Sequence, residues 1–387
     1  MKFAKKIVIV FLLISLIFIS TVVVWAQEQE QLTSLEEISV PSAILIEASQ
    51  GKILFEKNSH EKRPGASLTT IMTMLIVMEE IESGKLSFDD ILTAQDDVAS
   101  ITGSHVWIKS GENITLLDAL KSVAMISASD AAIVIADKIS GSQGAFVSRM
   151  QTRAGELGMF DTVFKNCNGT EQEGNVTSAY DIALMSREIS KYPEISDFTS
   201  TWMDSIRNGK TQIVNTNKLL KSFNGTTGLK TGTTLQAGSC ISATASREDL
   251  SLIAVVLGCK TGVERFENTT KILDFGFTNF TTVEPQPPSQ GLNSVKILGG
   301  VTSSVDVKLK SGVEILVRKG KEKLIKSKIE MLPEVQAPVR PGQRIGKVSY
   351  ELEGEVLLEC PIEISKSVDR LNFFSSFTLL LRNLLTM

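Results

Sequence analysis

Residues 64–78 read Pro-Gly-Ala-Ser-Leu-Thr-Thr-Ile-Met-Thr-Met-Leu-Ile-Val-Met, and from 71 to 78 only Thr73 interrupts the apolar run. A helix apolar on nearly every side must be buried on nearly every side. Such a helix demands a core large enough to enclose it, and that core holds its first turn rigidly. Ser67 stands where this helix should start. Position i+3 shares a helix face with position i, so Thr70 falls beside Ser67. A serine held in this way is a nucleophile if a neighbour takes its proton, but threonine has no useful basicity near neutral pH. The plainer reading makes Ser67 an N-cap, its hydroxyl accepting a bond from a first-turn backbone N–H.

At 387 residues the chain exceeds one ordinary domain, and two are the natural expectation. A hydrophobic share of 42% with 22% charged residues suits a globular protein with a sizeable core. The net charge of -4 offers no basic field, so no nucleic-acid partner is expected. Residues 1–26 have the three parts of a secretory signal: Lys2, Lys5 and Lys6, a mostly apolar run over 7–24, then compact Val24 and Ala26 at the positions a signal peptidase reads. Cleavage after Ala26 is expected, with an uncleaved membrane anchor as the competing reading. Either places the body of the protein outside the cytoplasm.

Cys167, Cys240, Cys259 and Cys360 are too widely spread for a zinc site and are expected to be free and buried. His60 and His105 sit in no metal motif. A Ser-His-Asp mechanism or a histidine-based metal site has almost nothing to draw on, and no metal or cofactor is expected.

After a polar linker over 27–41, two short apolar runs at 43–47 and 52–56 surround a Gly51-containing turn and read as a β-hairpin. The Ser67 helix follows and stops near Gly84. Residues 86–111 read as irregular. Thr115 caps a helix over 116–126, and another runs from about 130 to 139, ended by Gly141. Between them stands Ser127-Ala128-Ser129, where Ser127 with Asp130 resembles a capping arrangement. More helix is expected over 143–157 and 178–190. Then 225–228 turns into Leu229-Lys230-Thr231-Gly232-Thr233, and 239–245 and 250–257 read as strands. A last helix over about 264–275 would pack on them. This order implies an α+β domain over 42–283, its sheet joining the first hairpin to the last strands.

Glu284-Pro285-Gln286-Pro287-Pro288 is a linker by composition. Short β-like runs between turns then imply a small all-β domain over 284–365, read as a spacer or partner-binding module. The end of the chain, 366–387, places Phe373, Phe374, Phe377, Leu380, Leu381, Leu384 and Leu385 on one helical face. That fits an amphipathic helix lying on a membrane surface, with a helix packed on the β domain as the alternative.

Three elements now stand in order: Ser67-Leu68-Thr69-Thr70, Ser127-Ala128-Ser129 and Lys230-Thr231-Gly232. The series resembles the S-x-x-K, S-x-N and K-T-G plan of serine penicillin-binding proteins and β-lactamases. More narrowly it resembles the low-molecular-mass D-alanyl-D-alanine carboxypeptidases, from about Pro41 to the C-terminus. A second copy, Lys260-Thr261-Gly262, precedes a helix, so only Lys230 sits where the family places its motif. The resemblance implies a β-lactamase/transpeptidase-like fold and an acyl-enzyme mechanism on the D-Ala-D-Ala ends of peptidoglycan stem peptides, with β-lactams as further ligands. It makes Ser67 the nucleophile, Ser127 a proton relay, and Ser129, Lys230, Thr231 and Gly232 the substrate-binding set.

Two positions depart from the family: Thr70 replaces its catalytic lysine and Ser129 its asparagine. Proton-transfer groups contribute roughly 10²- to 10⁴-fold, so acylation is expected to be weak or absent. Lys230 could substitute only if burial or a positive neighbour lowered its basicity, and with Thr70 neutral one such neighbour is missing, so no rescue is expected. The first expectation is therefore an exported carboxypeptidase with impaired catalysis. The second is an inactive relative that binds D-Ala-D-Ala as a cell-wall scaffold. A β-lactamase-like antibiotic hydrolase is a third, opposed by the extra β domain and the terminal helix.

Overall fold

The computed structural model describes residues 38–96, 98, 101–288, 292–309 and 313–373. The expected signal segment, most of the linker, and residues 374–387 of the expected terminal helix lie outside them. The chain divides into two compact units, Met1–Phe277 and Thr278–Met387.

In the first unit, β1 (Ser42–Glu47) and β2 (Ile53–Lys57) form the expected hairpin. The linker ends before Ile38, which is buried with Val40. A short 3-10 turn, Ala66–Thr69, leads into α1 (Thr70–Glu82). Ser67 therefore lies inside a turn and caps no helix. The N-cap of the turn is Gly65, that of α1 is Thr69, and neither makes a side-chain capping bond. Every residue of α1 from Thr70 to Met78 is buried, as its composition requires. Thr73 remains compatible with that burial because its hydroxyl donates to the Cys167 carbonyl at 2.6 Å.

The stretch expected to be irregular contains β3 (Ile91–Thr93), paired with β4 (Asn113–Thr115). Such short strands carry little alternation to detect. Thr115 does cap α2 (Leu116–Ile126), accepting from the Asp118 N–H at 3.1 Å. α3 (Ser129–Ser140) begins one residue earlier than expected. The Ser127–Asp130 capping arrangement does not form. Ser127 is the left-handed C-cap of α2, at φ 60° and ψ 36°, and the N-cap of α3 is Ala128. α4 (Gln143–Glu156) and α5 (Ala179–Ile189) are capped by Ser142 and Ser178, and α6 (Pro193–Thr199) follows. β5 (Met203–Ile206) and β6 (Thr211–Val214) form a hairpin that the periodicity did not announce.

β7 (Thr226–Thr234), β8 (Gly238–Arg247) and β9 (Leu250–Cys259) complete an antiparallel sheet of order β2-β1-β9-β8-β7. The first hairpin thus joins the last strands, as expected of this α+β fold. Alternate residues of a strand face opposite sides. Ile44, Ile46, Ile253 and Val255 share one core with α1 and α5, while Gly276 of α7 (Gly262–Asn279) rides against Leu45 and Leu252 on the other face.

In the second unit β10 (Phe280–Val283) pairs with β13 (Ile315–Arg318). A six-stranded sheet of order β14-β16-β17-β12-β11-β15 carries the rest, built from β11 (Ser294–Leu298), β12 (Ser304–Leu309), β14 (Lys326–Met331), β15 (Glu334–Gln336), β16 (Arg344–Leu352) and β17 (Glu355–Ile364). From Phe280 to Arg370 the regular structure of the described residues is all β apart from a 3-10 turn. Val368 and Arg370 bridge to Val339 and Gly300, so residues 366–370 belong to it and any terminal helix begins later than 366. No helix among the described residues is long and apolar enough to cross a membrane.

The four cysteines are buried and none forms a disulfide. Burial pushes the Cys167 and Cys259 thiols up to about 12, which leaves no thiolate there at neutral pH.

Candidate active site

Ser67 is presented by a strained turn. Ala66, the residue before it, has φ 47° without being glycine, a conformation sustained only when the surroundings impose it. Two close backbone approaches do so. A Cβ on Gly169 would meet the Ala66 carbonyl oxygen at 2.0 Å, and one on Gly232 would meet the Ser67 backbone nitrogen at 2.9 Å. Gly232 of β7 is thus glycine because the strand passes directly against the serine turn. Ser67 is half-buried, and its hydroxyl has no hydrogen-bond partner among the described residues.

Thr70 is fully buried, and its hydroxyl donates to the Ser67 carbonyl at 2.8 Å. It contacts the serine's backbone and offers its side chain no base.

β7 also carries Lys230 and Thr231. Lys230 lies two residues before Gly232, on the same side of the strand, and its side chain is buried. Its ammonium hydrogen-bonds Ser127 Oγ and donates to the Thr231 carbonyl at 3.1 Å. Ser127 reaches it because the left-handed end of α2 turns the chain towards the strand. Thr231 Oγ1 lies 2.7 Å from Thr216 Oγ1, and the Thr216 N–H donates to the Met125 carbonyl at 3.0 Å, tying β7 to the end of α2. Burial, reinforced by the Arg265 guanidinium, lowers the Lys230 amine from its ordinary value to about 7.

Ser129 stands apart from this group. It opens α3, and its N–H donates to the Ser104 carbonyl at 2.7 Å. Its side chain packs against Gly103, on which a Cβ would lie 2.7 Å from Ser129 Oγ.

Arg265 escaped the sequence reading. It projects from α7 beneath β7, where Nη1 donates to the Gly232 carbonyl, Thr233 Oγ1 and the Cys240 carbonyl at 3.1 to 3.2 Å. No carboxylate pairs with it among the described residues, and its Nε is buried without a hydrogen-bond partner. The available signal was its place on the buried stripe of α7, with Asn268, Thr269, Ile272 and Gly276, where a charge needs a reason. The second K-T-G is structural. The Glu264 N–H donates to Thr261 Oγ1, and the Glu264 carboxylate accepts from the Lys260 N–H just before it, a variant of the capping box that opens α7.

The structure therefore gathers Ser67, Thr70, Ser127, Lys230, Thr231 and Gly232 at the edge of the sheet and adds Arg265. The family described as D-alanyl-D-alanine carboxypeptidase matches residues 27–261, and the C-terminal domain of penicillin-binding protein 5 matches 280–370. The chain belongs to the D-alanyl-D-alanine carboxypeptidase family. D-alanyl-D-alanine carboxypeptidase DacF of Bacillus subtilis is 37% identical to it over 355 residues, 91% of each chain. Among solved structures, penicillin binding protein 5 from Haemophilus influenzae superposes with a TM-score of 0.76 at 27% identity, covering 86% of this chain and 98% of its own. Penicillin-Binding Protein D2 from Listeria monocytogenes in its ampicillin-bound form is 31% identical, with a TM-score of 0.58 over 62% of this chain and 98% of its own. Low-molecular-mass penicillin-binding proteins are thus its relatives in sequence and in fold, and the family is one of serine carboxypeptidases.

Proposed function

We propose that the protein is an exported serine-type D-Ala-D-Ala carboxypeptidase that removes terminal D-alanine from peptidoglycan stem peptides, with acylation slowed by the threonine at position 70. The observation that carries this reading is the convergence on β7: Gly232 touches the Ser67 backbone while Lys230 reaches Ser127 from the same strand. Ser67 Oγ attacks the carbonyl carbon of the D-Ala-D-Ala bond, and its proton passes to the Ser127 side of the site. Collapse breaks the C–N bond, D-alanine leaves with a proton on its amine, and water then hydrolyses the ester on Ser67. Thr231, with Lys230 and Arg265, supplies the donors and positive charge for the terminal carboxylate. Gly232 lines the approach of the peptide, while Ser129, packed against Gly103, would act on it only through the 103–104 segment that it holds. β-Lactams present the same carboxylate and a reactive amide, which makes them ligands of this site.

Domain roles follow the same proposal. Residues 1–26 act as the export signal, 27–37 as a linker, 38–277 as the catalytic domain and 278–370 as the β module. The apolar face of the terminal residues holds the protein on the outer surface of the cytoplasmic membrane.

Thr70 favours a second reading. With its hydroxyl held by the Ser67 carbonyl, no amine stands one turn beyond the nucleophile, which suits a scaffold that binds D-Ala-D-Ala without cleaving it. Labelling of the detergent-solubilised full chain by a fluorescent penicillin decides between them. Label on the native protein that disappears in Ser67→Ala, with D-alanine released from a pentapeptide, supports the enzyme. Pentapeptide binding without label supports the scaffold.

A further inference from the structure

Among the described residues, Lys230 Nζ is held by two partners, Ser127 Oγ and the Thr231 carbonyl, and no carboxylate pairs with it. In a buried lysine the usual arrangement is an ammonium neutralised by an acid. Here the acids and bases on the elements packed against β7 are engaged elsewhere or point to solvent. Asp118 of α2 accepts from the Arg207 N–H at 2.8 Å, and Lys121 pairs with Asp204 at 2.7 Å. Glu194 and Asp197 of α6 are exposed. Lys221 lies over the Trp202 ring, and Arg247 of β8 over Phe223 and Phe277. Arg265 is the one charge that bears on Lys230, and it is of the same sign.

We infer that Lys230, acting through Ser127, is the proton acceptor for Ser67 and replaces the amine missing at position 70. The inference rests on the carboxypeptidase reading above. Neutral Lys230 takes the Ser127 hydroxyl proton on its lone pair while an Nζ–H continues to donate to the Thr231 carbonyl. Ser127 Oγ, not hydrogen-bonded to Ser67 in the free protein, takes the proton of Ser67 in the substrate complex as the Ser67 oxygen bonds to the carbonyl carbon, and the carbonyl π pair moves to oxygen. On collapse the chain runs backwards: Ser127 protonates the departing amine, and Lys230 returns its proton to Ser127. Protons and electron pairs balance with no further reactant. The substrate carboxylate is then met by Thr231 and by the unpaired Arg265, which frees Lys230 from a purely anchoring role.

Lys230 sits near neutrality because desolvation and Arg265 both disfavour its ammonium, so a substantial neutral fraction exists at pH 7. The second-order rate constant of acylation reports the free enzyme's essential groups. It should climb about tenfold per pH unit below roughly 7 and level off above, as expected for one deprotonation.

The test measures that constant for a fluorescent penicillin between pH 5.5 and 9.5, with the full chain in detergent. The proteins are the native chain, Lys230→Arg, Thr70→Lys, and the double variant. The expected result is the sloping native profile, a loss of about 10² or more in Lys230→Arg, and a loss under about tenfold for the same change made in the Thr70→Lys background. Ser127→Ala, which spares the lysine, should flatten the native profile as well. Mass spectrometry should place the adduct on Ser67. A flat native profile, or an equal loss from Lys230→Arg in both backgrounds, would overturn the inference and leave Lys230 an anchor. Label on Thr70→Lys alone overturns it in favour of the scaffold. No label on any variant overturns the carboxypeptidase reading along with it.

Discussion

Gly169 buttresses the turn that carries Ser67. A Cβ there would stand 2.0 Å from the Ala66 carbonyl oxygen and 2.9 Å from the Ser67 Cα, and Gly169 itself has φ 80°. The loop holding it is fixed from both sides: the Gly169 N–H donates to Asn166 Oδ1 at 2.7 Å, and the Cys167 carbonyl accepts from Thr73 of α1. Gly169→Ala should lower stability by about 1–3 kcal/mol through strain and displacement of the turn, and penicillin acylation should fall with it. Gly174→Ala is the control, since it shares a positive φ but would meet only the flexible end of Lys165 at 3.3 Å. Urea unfolding and labelling of both variants check this, with acylation preserved in the control.

Asp130 should prove structural rather than catalytic. Its buried carboxylate accepts from the N–H groups of Val106, Ile108 and Ala131 at 2.9 to 3.3 Å, and so fixes Trp107, an exposed residue at φ 59°. Asp130→Ala leaves buried donors unpaired, each worth roughly 1–3 kcal/mol. Denaturant unfolding should show a loss at or above that size. Asp130→Asn, which keeps one acceptor, should fall between the two.

Much of this arrangement was legible because local chemistry and global fold agree. The run over 71–78 announced a helix buried all round, and Thr115 and Gly141 punctuate helices where a side chain or backbone freedom allows. The three motifs pointed to this part of the chain through their resemblance to the penicillin-binding-protein plan, and Ser67, Ser127, Lys230 and Gly232 do come together around β7. Arg265 was not legible, since its distance from Lys230 in sequence closes only when α7 lies under β7. Ser127 and Asp130 looked like a cap, although Asp130 is claimed by the 106–108 backbone and Ser127 by Lys230. Such long-range claims override local propensity without leaving a pattern in the sequence.

Lys230 should make stability depend on pH in a predictable direction. Its amine is lowered to about 7 in the folded protein, against an ordinary value of 10.5. Between those values the unfolded chain holds a proton that the folded chain does not, so stability rises with pH, by up to roughly 1.4 kcal/mol per unit. The cost of burying the ammonium is present in full below about pH 7 and disappears above the unfolded value. Lys230→Met removes both. Unfolding midpoints at pH 7, 8, 9 and 10 should show the variant's advantage over the native protein shrinking as pH rises.

Arg265 should show the opposite balance between stability and recognition. A buried guanidinium with no acid and an unpartnered Nε is costly to the free protein, so its persistence calls for a ligand that completes it. Arg265→Met should keep or raise the unfolding midpoint while weakening capture of a terminal carboxylate. A hydrogen bond to a charged group is worth roughly 1.5–3 kcal/mol, or about 10- to 10²-fold. Acylation by a penicillin and by its methyl ester separates the effects. The native protein should prefer the free acid, and the variant, compared on the alkaline plateau of its own acylation profile where Lys230 is neutral, should lose most of that preference while its reaction with the ester changes little. Equal losses on both ligands would instead make Arg265 a prop for β7, acting through the Gly232 and Cys240 carbonyls that it holds.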